Sequence, residues 1–438
     1  MRERTAHRFL ACAGLLALCG ALLAPASHAA TQAAAAAPNG QVVWALPADP
    51  NAIKASQKQA DLFHQMHPAI TVKILQIPNN QNYDIKVQTL IAGGAAPDLF
   101  GSGDVILPTL FQKGYARDLS PYITRDRYDL SDFFQQEFRA FRYKGDVYAL
   151  TDNWDTQILY YNKDLFRKAG MAFPSASWTW QDFRAAAIKL THGSGPSKQF
   201  GAVFTSWFAP VYDLIWSYGG DIFSADGKST LLNQPAAENA IQWLADLYNK
   251  DKVSPTPAML GSNGPDLRFM GGRVAMMIDG GRWWASEFVG PPGITKFDWA
   301  AAPIPKGPAG RANFFHIGCY LIARSAKNPD AAWEFLKFLL SKQGIAIAAA
   351  DQQGIPSRLS LANDPSFAKD PTNVKHDLVQ PWVDSLPTVH PAPMIVNFNQ
   401  AQSLIDTALI PVWRGQRTAK AAMDALAPKL NAELRSQK

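Results

Sequence analysis

Two hydrophobic periods alternate along the first third of the chain. Val42, Val43, Trp44, Ala45 and Leu46 form an unbroken apolar run, the pattern of a strand covered on both faces. From Ala52 to His67 the apolar residues Ile53, Ala60, Phe63 and Met66 recur near helical spacing, and Pro68 ends that helix. Ile70, Val72 and Ile74 alternate with Thr71, Lys73 and Leu75, which predicts a second strand. A second helix over Tyr83–Ala92 uses Val87, Leu90 and Ile91 and stops at Gly93-Gly94. Pro97-Asp98-Leu99-Phe100 then predicts a short strand entering a Gly-rich loop. Alternating strands and helices predict an α/β fold with a mainly parallel sheet.

The middle repeats that style with more aromatics. Lys144-Gly145-Asp146 and Ser224–Lys228 predict tight turns. An amphipathic helix over Pro235–Lys250 carries Ala240, Leu244 and Leu247 on one side, and Pro329 opens another with Trp333, Leu336 and Leu340 as its stripe. From Phe398 onward the pattern is helical, with a break expected at Pro411. No internal repeat is visible, which argues against a solenoid.

The N-terminus has a different character. Arg2, Arg4 and Arg8 precede an apolar run from Phe9 to Leu23, then Pro25 and the small residues Ala26, Ser27, His28, Ala29 and Ala30. This predicts an export signal over residues 1–29, cleaved near Ala29, and a flexible tether over 30–39. The expected compartment is the periplasm. A lipid anchor at Cys19 fits less well, because Leu18 stands where a small residue is needed. With the signal removed, Cys319 is the one cysteine left, so no intrachain disulfide is available. Three Arg and one Glu leave with it, so the formal charge of +6 falls to about +4, from 39 basic and 35 acidic residues. The basic residues are scattered, which argues against nucleic acid as a partner. No later segment is apolar for long enough to span a bilayer.

Catalytic and metal signatures are thin. HExxH, CxxC, GxSxG and GxxxxGK[ST] are all absent. Gly101-Ser102-Gly103-Asp104 starts like a dinucleotide loop but lacks its third glycine, so it reads as a sharp turn. His64 and His67 share a helical face without a third ligand and read as solvated. Asp152 and Asp155 flank Trp154 and could form an acid/base pair for glycoside cleavage, or hydrogen-bond a sugar hydroxyl. No cofactor is expected. Of the 13 Trp and 12 Tyr, several stand beside Gly, Asp or Asn: Trp44 near Asp49, Trp154, Trp207, and Trp283-Trp284 after Gly280-Gly281-Arg282. Aromatic platforms with converging Asp, Asn and Arg suit a carbohydrate, whose C–H faces stack on indoles while its hydroxyls bond to the polar groups. For any single Trp, core packing is the competing reading.

Several segments carry a resemblance. AGGAAPDLF (92–100), QKGYARDLSPYI (112–123), KGDVYALTDNWDTQILYYNKDLFRKAG (144–170), WTWQDFRAAAIKL (178–190), YGGDIFSADGK (218–228), FMGGRVAMMIDGGRWW (269–284) and PIPKGPAGRANFFHIGCYLIARSAKNPDAAWEFLKFL (303–339) occur in the order typical of one family. The chain resembles the extracellular solute-binding proteins of sugar importers of the ATP-binding-cassette type, the group that includes maltose-binding protein. The resemblance implies a two-lobe periplasmic-binding-protein fold of type II, each lobe a mainly parallel sheet flanked by helices, with ligand held between the lobes. It implies a first lobe of residues 40–150 plus 303–340 and a second of 151–302 plus 341–438. Crossings would lie near 150–155, 300–303 and 340–342. It implies ligand contacts from Asp49, Ser102, Asp104, Asp155, Trp207, Trp283, Asn397, Asn399 and Arg358.

Two departures stand out. Gly318-Cys319 replaces the family's Gly-Gly, which would bring a side chain close to the cleft, and Arg282 follows Gly281 where a small residue or proline is common. Arg282 could select an anionic substrate or stand exposed at the surface. The implied function is capture of a sugar by a monomer and delivery to the importer's permease, without catalysis. The alternatives are a carbohydrate-cleaving enzyme, a binder of a non-sugar solute such as a glycerol phosphodiester, polyamine or peptide, and a protein-contacting sensor or adhesion subunit.

Overall fold

The leading apolar run becomes β1 (Gly40–Pro47), and the helical stretch after it becomes the helix Pro50–Met66. β2 (Ile70–Ile77) returns parallel to β1, pairing Val42 with Val72 and Trp44 with Ile74. The computed structural model describes residues 38–48, 50–78, 83–260, 265–282, 284–285, 288, 296–350, 354–368, 375 and 378–436. The expected signal and tether up to residue 37, together with Asp49 and Trp283, lie outside these residues. Among them no helix is long and apolar enough to cross a membrane.

The first sheet has the order β12-β3-β1-β2, with β3 at Leu99–Gly103 and β12 at Gly318–Ile322. β3 runs parallel to β1, and β12 closes the edge antiparallel. The helix Tyr83–Ala92 ends as its two glycines dictate: Gly94 adopts φ 76° and Ala95 N–H bonds Leu90 O at 2.9 Å. Trp44 is no loop aromatic. It is fully buried in β1, edge-on to Phe335 and Tyr320.

The second sheet has the order β10-β7-β9-β8, built from Trp299–Ala302, Leu159–Asn162, Met276–Ile278 and Val203–Phe204. It is covered on both faces, and its side chains divide with period two. Leu159 and Tyr161 enter one core while Tyr160 enters the other, and the same alternation separates Ala300 and Ala302 from Trp299 and Ala301. This sheet departs from the expected mainly parallel pattern. β7 pairs antiparallel with both β10 and β9, and only β8 and β9 run parallel. The reason is connectivity: β7 enters straight from the hinge, without the helical crossover that parallel neighbours need.

A third sheet, β13-β6-β11-β14, lies between the two lobes and is formed by Ile355–Pro356, Asn153–Thr156, Asn313–His316 and Val389–His390. Two residues, Gln157 and Ile158, separate β6 from β7, and Ile317 alone separates β11 from β12. Trp154 on β6 is buried between Phe134 and Phe315, again a core residue.

Two further expectations are corrected. The helix Lys342–Ala350, allotted to the second lobe by resemblance, packs on Pro50–Met66 and Pro329–Leu339 of the first, where Gln59 Nε2 donates to Gly344 O at 2.9 Å. The bend at Leu340-Ser341 lets the chain stay on the same surface. Pro411 does not break its helix, which runs Phe398–Trp413. The proline forfeits one backbone donor, while the buried stripe of Ile405, Leu409, Val412 and Trp413 continues across it. The break follows at Gly415, with φ 68°.

Candidate functional site

Open α/β sheets bind ligands beyond the carboxyl ends of their strands. Here those ends carry Gly103 and Asp104 at β3, Thr205 and Trp207 after β8, and Asp279 to Arg282 after β9. Gln157 comes from the connection between β6 and β7, and His316 from the end of β11. Gly103 and Gly318 are paired across β3 and β12, and a methyl group built on either would meet nothing within 4 Å. Free space therefore lies over this floor.

The second lobe contributes a pair of indoles fixed by one carboxylate. Asp279 Oδ1 accepts hydrogen bonds from Thr205 Oγ1 at 2.7 Å and from Trp207 Nε1, and Oδ2 accepts Trp284 Nε1 at 2.9 Å. Asp279 is buried, while Trp207 and Trp284 are half-buried. Trp207 also stacks on the imidazole of His316, with centroids 5.5 Å apart and planes at 25°. Gln157 Nε2 and His316 Nε2 lie 2.6 Å apart. Burial pushes the His316 imidazole down to about 3, so it is neutral at physiological pH and its Nε2 accepts the amide N–H. Trp207 was expected at the site. Gln157, Asp279 and His316 were not, although Asp279 directly follows a buried strand and precedes Gly280-Gly281.

Asp104 Oδ2 and Gln157 Oε1 are among the buried acceptors that have no hydrogen-bond partner among the described residues. Asp104 Oδ1 accepts Val105 N–H at 2.9 Å. Burial raises the Asp104 carboxyl to about 7, against the pull of backbone N–H groups. Across from it, Asn397 adopts φ 54° and its N–H donates to Thr109 Oγ1 at 3.0 Å, so the start of the helix Phe398–Trp413 touches the first lobe. The side chains of Asn397 and Asn399 are exposed there.

The remaining expected residues have other surroundings. Asp155 is buried in the hinge and accepts three N–H groups: Thr156 N at 2.8 Å, Trp382 Nε1 at 2.6 Å and Arg282 N at 2.6 Å. Burial nonetheless raises its carboxyl to about 7. Gly281 packs so closely on this carboxylate that a methyl there would lie 2.1 Å from it. Arg282 is neither exposed nor cleft-facing. It is 1 % exposed, donates to Gly354 O at 3.1 Å and lies 4.8 Å from the Phe367 ring centroid. Ser102 Oγ donates to Asp84 Oδ1 at 3.1 Å, and Cys319 is buried with Sγ 3.5 Å from Ser102 O. The cysteine thus points beneath the sheet rather than into the open space. Arg358 stacks on Phe133 at 4.4 Å and donates to Leu340 O, Asp132 and Tyr128, inside first-lobe packing.

A family model described as bacterial extracellular solute-binding protein matches residues 44–346. The chain belongs to this solute-binding family. A galactooligosaccharide-binding protein of Bacillus subtilis is 24% identical over 412 residues, covering 90% of each chain. The maltodextrin-binding protein MdxE of the same organism is 25% identical over 342 residues, covering 76% of each. Among solved structures, a substrate-binding protein from Listeria monocytogenes in complex with cycloalternan is 26% identical, superimposes with a TM-score of 0.80, and matches over 90% of this chain and 99% of its own. The solute-binding protein therefore has the two-lobe fold of this group. Among its described residues no cluster of His, Cys, Asp and Glu could hold a metal ion. His64 instead bonds Ile70 O at 2.8 Å, and His67 stacks on Phe63.

Proposed function

We propose that this solute-binding protein captures a sugar or short oligosaccharide between its lobes and delivers it unaltered to the permease of an ATP-binding-cassette importer. The observation that carries this reading is the Trp207–Asp279–Trp284 unit, whose Trp207 stacks on His316, two residues before Gly318. Two indoles locked by one buried acceptor are rigid stacking surfaces that lose little entropy on binding. Asp104 Oδ2 and Gln157 Oε1 supply acceptors that ligand hydroxyls would satisfy, and buried acceptors favour such pairing strongly. Contacts from both lobes form together only when the cleft is shut, so ligand shifts the open–closed population.

Glycoside cleavage finds no support in the carboxylates. Asp152 accepts Asn153 Nδ2 at 2.7 Å and Tyr320 OH at 3.1 Å, and Asp155 is occupied by its three donors. Export with removal of residues 1–29 and action as a monomer belong to the same reading.

The test is a thermal-shift and calorimetric panel of maltodextrins, arabino-oligosaccharides, galacto-oligosaccharides and monosaccharides. A ligand at 100 times its Kd adds about 2.7 kcal/mol of apparent stability. At least one sugar is expected to give such a shift, to be recovered intact after incubation, and to lose it with Trp207→Ala. Wild-type affinity in a folded Trp207→Ala protein, or a converted sugar, would refute the proposal.

A further inference from the structure

A second cavity, of about 970 Å³, lies at the other end of the second sheet. β8 and β9 run parallel, and their carboxyl ends lead to Thr205 and Asp279. Their amino ends lead back to Phe200 and Val274, which are bridged to each other and line this cavity. Five residues of extended chain separate Phe200 from Thr205, roughly 16 Å. The cavity is thus at the outer pole of the lobe, away from the sugar cleft.

Its charge is one-sided. Lys198, Lys252, Arg268 and Arg273 line it, and among the described residues no carboxylate does. None of the four forms an ion pair among the described residues. They are held by backbone carbonyls instead: Lys198 Nζ donates to Lys252 O at 2.7 Å, Arg273 to Pro196 O at 2.7 Å, and Arg268 to Met259 O. Arg268 Nε is buried without a partner among the described residues. Lys198 also sits 4.7 Å over the Phe200 ring.

Arg268 stands in the last turn of the helix Pro265–Met270, where a cation is favoured, and Lys252 follows the C-terminus of the helix Pro235–Asn249. It nevertheless adopts φ 55°, a costly conformation for a lysine. Lys198 and Arg273 come from other segments, and the helix ends do not account for the convergence of all four. Four like charges around one hollow repel each other unless an anion joins them.

The donor inventory selects the ligand. Lysine and arginine offer only donors. A neutral sugar would leave the four cations unneutralised, whereas phosphate oxygens match them. Phe200, Tyr248, Met259 and Val274 add an apolar side for the body that carries the phosphate.

We propose that this outer cavity is a binding site for a phosphate-bearing anion, separate from the sugar cleft. The phosphate belongs either to a small soluble molecule or to an anionic lipid headgroup. Calorimetry with inorganic pyrophosphate tests the first source. Co-sedimentation with phosphatidylglycerol vesicles, against phosphatidylcholine vesicles, tests the second. Binding is expected in at least one arm, weakened by added salt. The double variant Lys198→Gln/Arg273→Gln should weaken it about tenfold, and Lys252→Gln, whose ammonium supports no contact described above, about two- to fivefold. Sugar affinity should stay unchanged in both. Binding to phosphatidylglycerol without pyrophosphate assigns the headgroup, and the reverse assigns the soluble anion. Absence of binding in both arms, or unchanged binding in a folded Lys252→Gln protein and the double variant, overturns the proposal.

Discussion

Asp279→Asn separates the two jobs of the indole pair. The native carboxylate accepts from at least three donors: Thr205 Oγ1 and Trp207 Nε1 at Oδ1, and Trp284 Nε1 at Oδ2. Asparagine offers one acceptor oxygen and one NH2 group. Its better orientation keeps the oxygen toward Thr205 and Trp207, which sets the amide N–H2 against the Trp284 N–H. A buried donor left facing a donor costs about 1–3 kcal/mol. Chemical denaturation should register a loss of that size. Trp284 is then released from its fixed plane while Trp207 keeps its place. An aromatic stacking partner is worth about 0.5–1.5 kcal/mol, so sugar affinity should fall roughly 2- to 12-fold by the usual conversion. Titration calorimetry and tryptophan fluorescence read both effects on the same protein. A destabilised variant with unchanged affinity would show that the indoles do not touch the ligand. Unchanged stability as well would show that the carboxylate does not hold them.

Three more outcomes are expected. Gly281→Ala forces the Asp155 carboxylate away from its donors and should cost about 2–4 kcal/mol in urea denaturation; native stability would contradict the close packing. Arg358→Ala should lower stability by about 2–3 kcal/mol, through its lost hydrogen bonds and its lost stack on Phe133, yet leave sugar affinity unaltered; weakened binding without instability would place the arginine at the ligand. Burial raises the carboxyls of Asp104 and Asp155 to about 7 and Asp152 to about 6, and holds Glu137 and Asp213 well above their usual range. The folded chain therefore binds more protons than the unfolded one above pH 4, and these groups make stability fall as pH rises toward 8. His316 and His390, pushed down by burial, oppose this below about 6.5 but are fewer. Thermal denaturation should show a higher midpoint at pH 5.5 than at pH 8, and the reverse order would disprove the burial of these acids.

Periodicity made the elements legible and left their partners obscure. Tyr83–Ala92 and its Gly93-Gly94 stop stand as the pattern predicts, because capping is a local matter of backbone geometry. The antiparallel course of β7 is a matter of connectivity, which hydrophobic runs do not encode. Among the aromatics, Trp44 and Trp154 share the Asp and Asn neighbours of a binding loop, yet both are core residues. Trp207 differs from them by the buried carboxylate it meets, 72 residues away in the chain. Asp155 and Arg358 have the chemistry of ligand contacts, but their donors and acceptors go to protein groups that converge only after folding.

The brevity of the hinge connections sets the kind of motion open to this molecule. With two residues between β6 and β7 and one between β11 and β12, there is no slack strap to flap. Opening must be distributed as small torsions along strands whose other ends are threaded into the two sheets. Each lobe would thus feel the state of the gap through its own central strands, and lengthening either connection by a glycine would uncouple grip from posture.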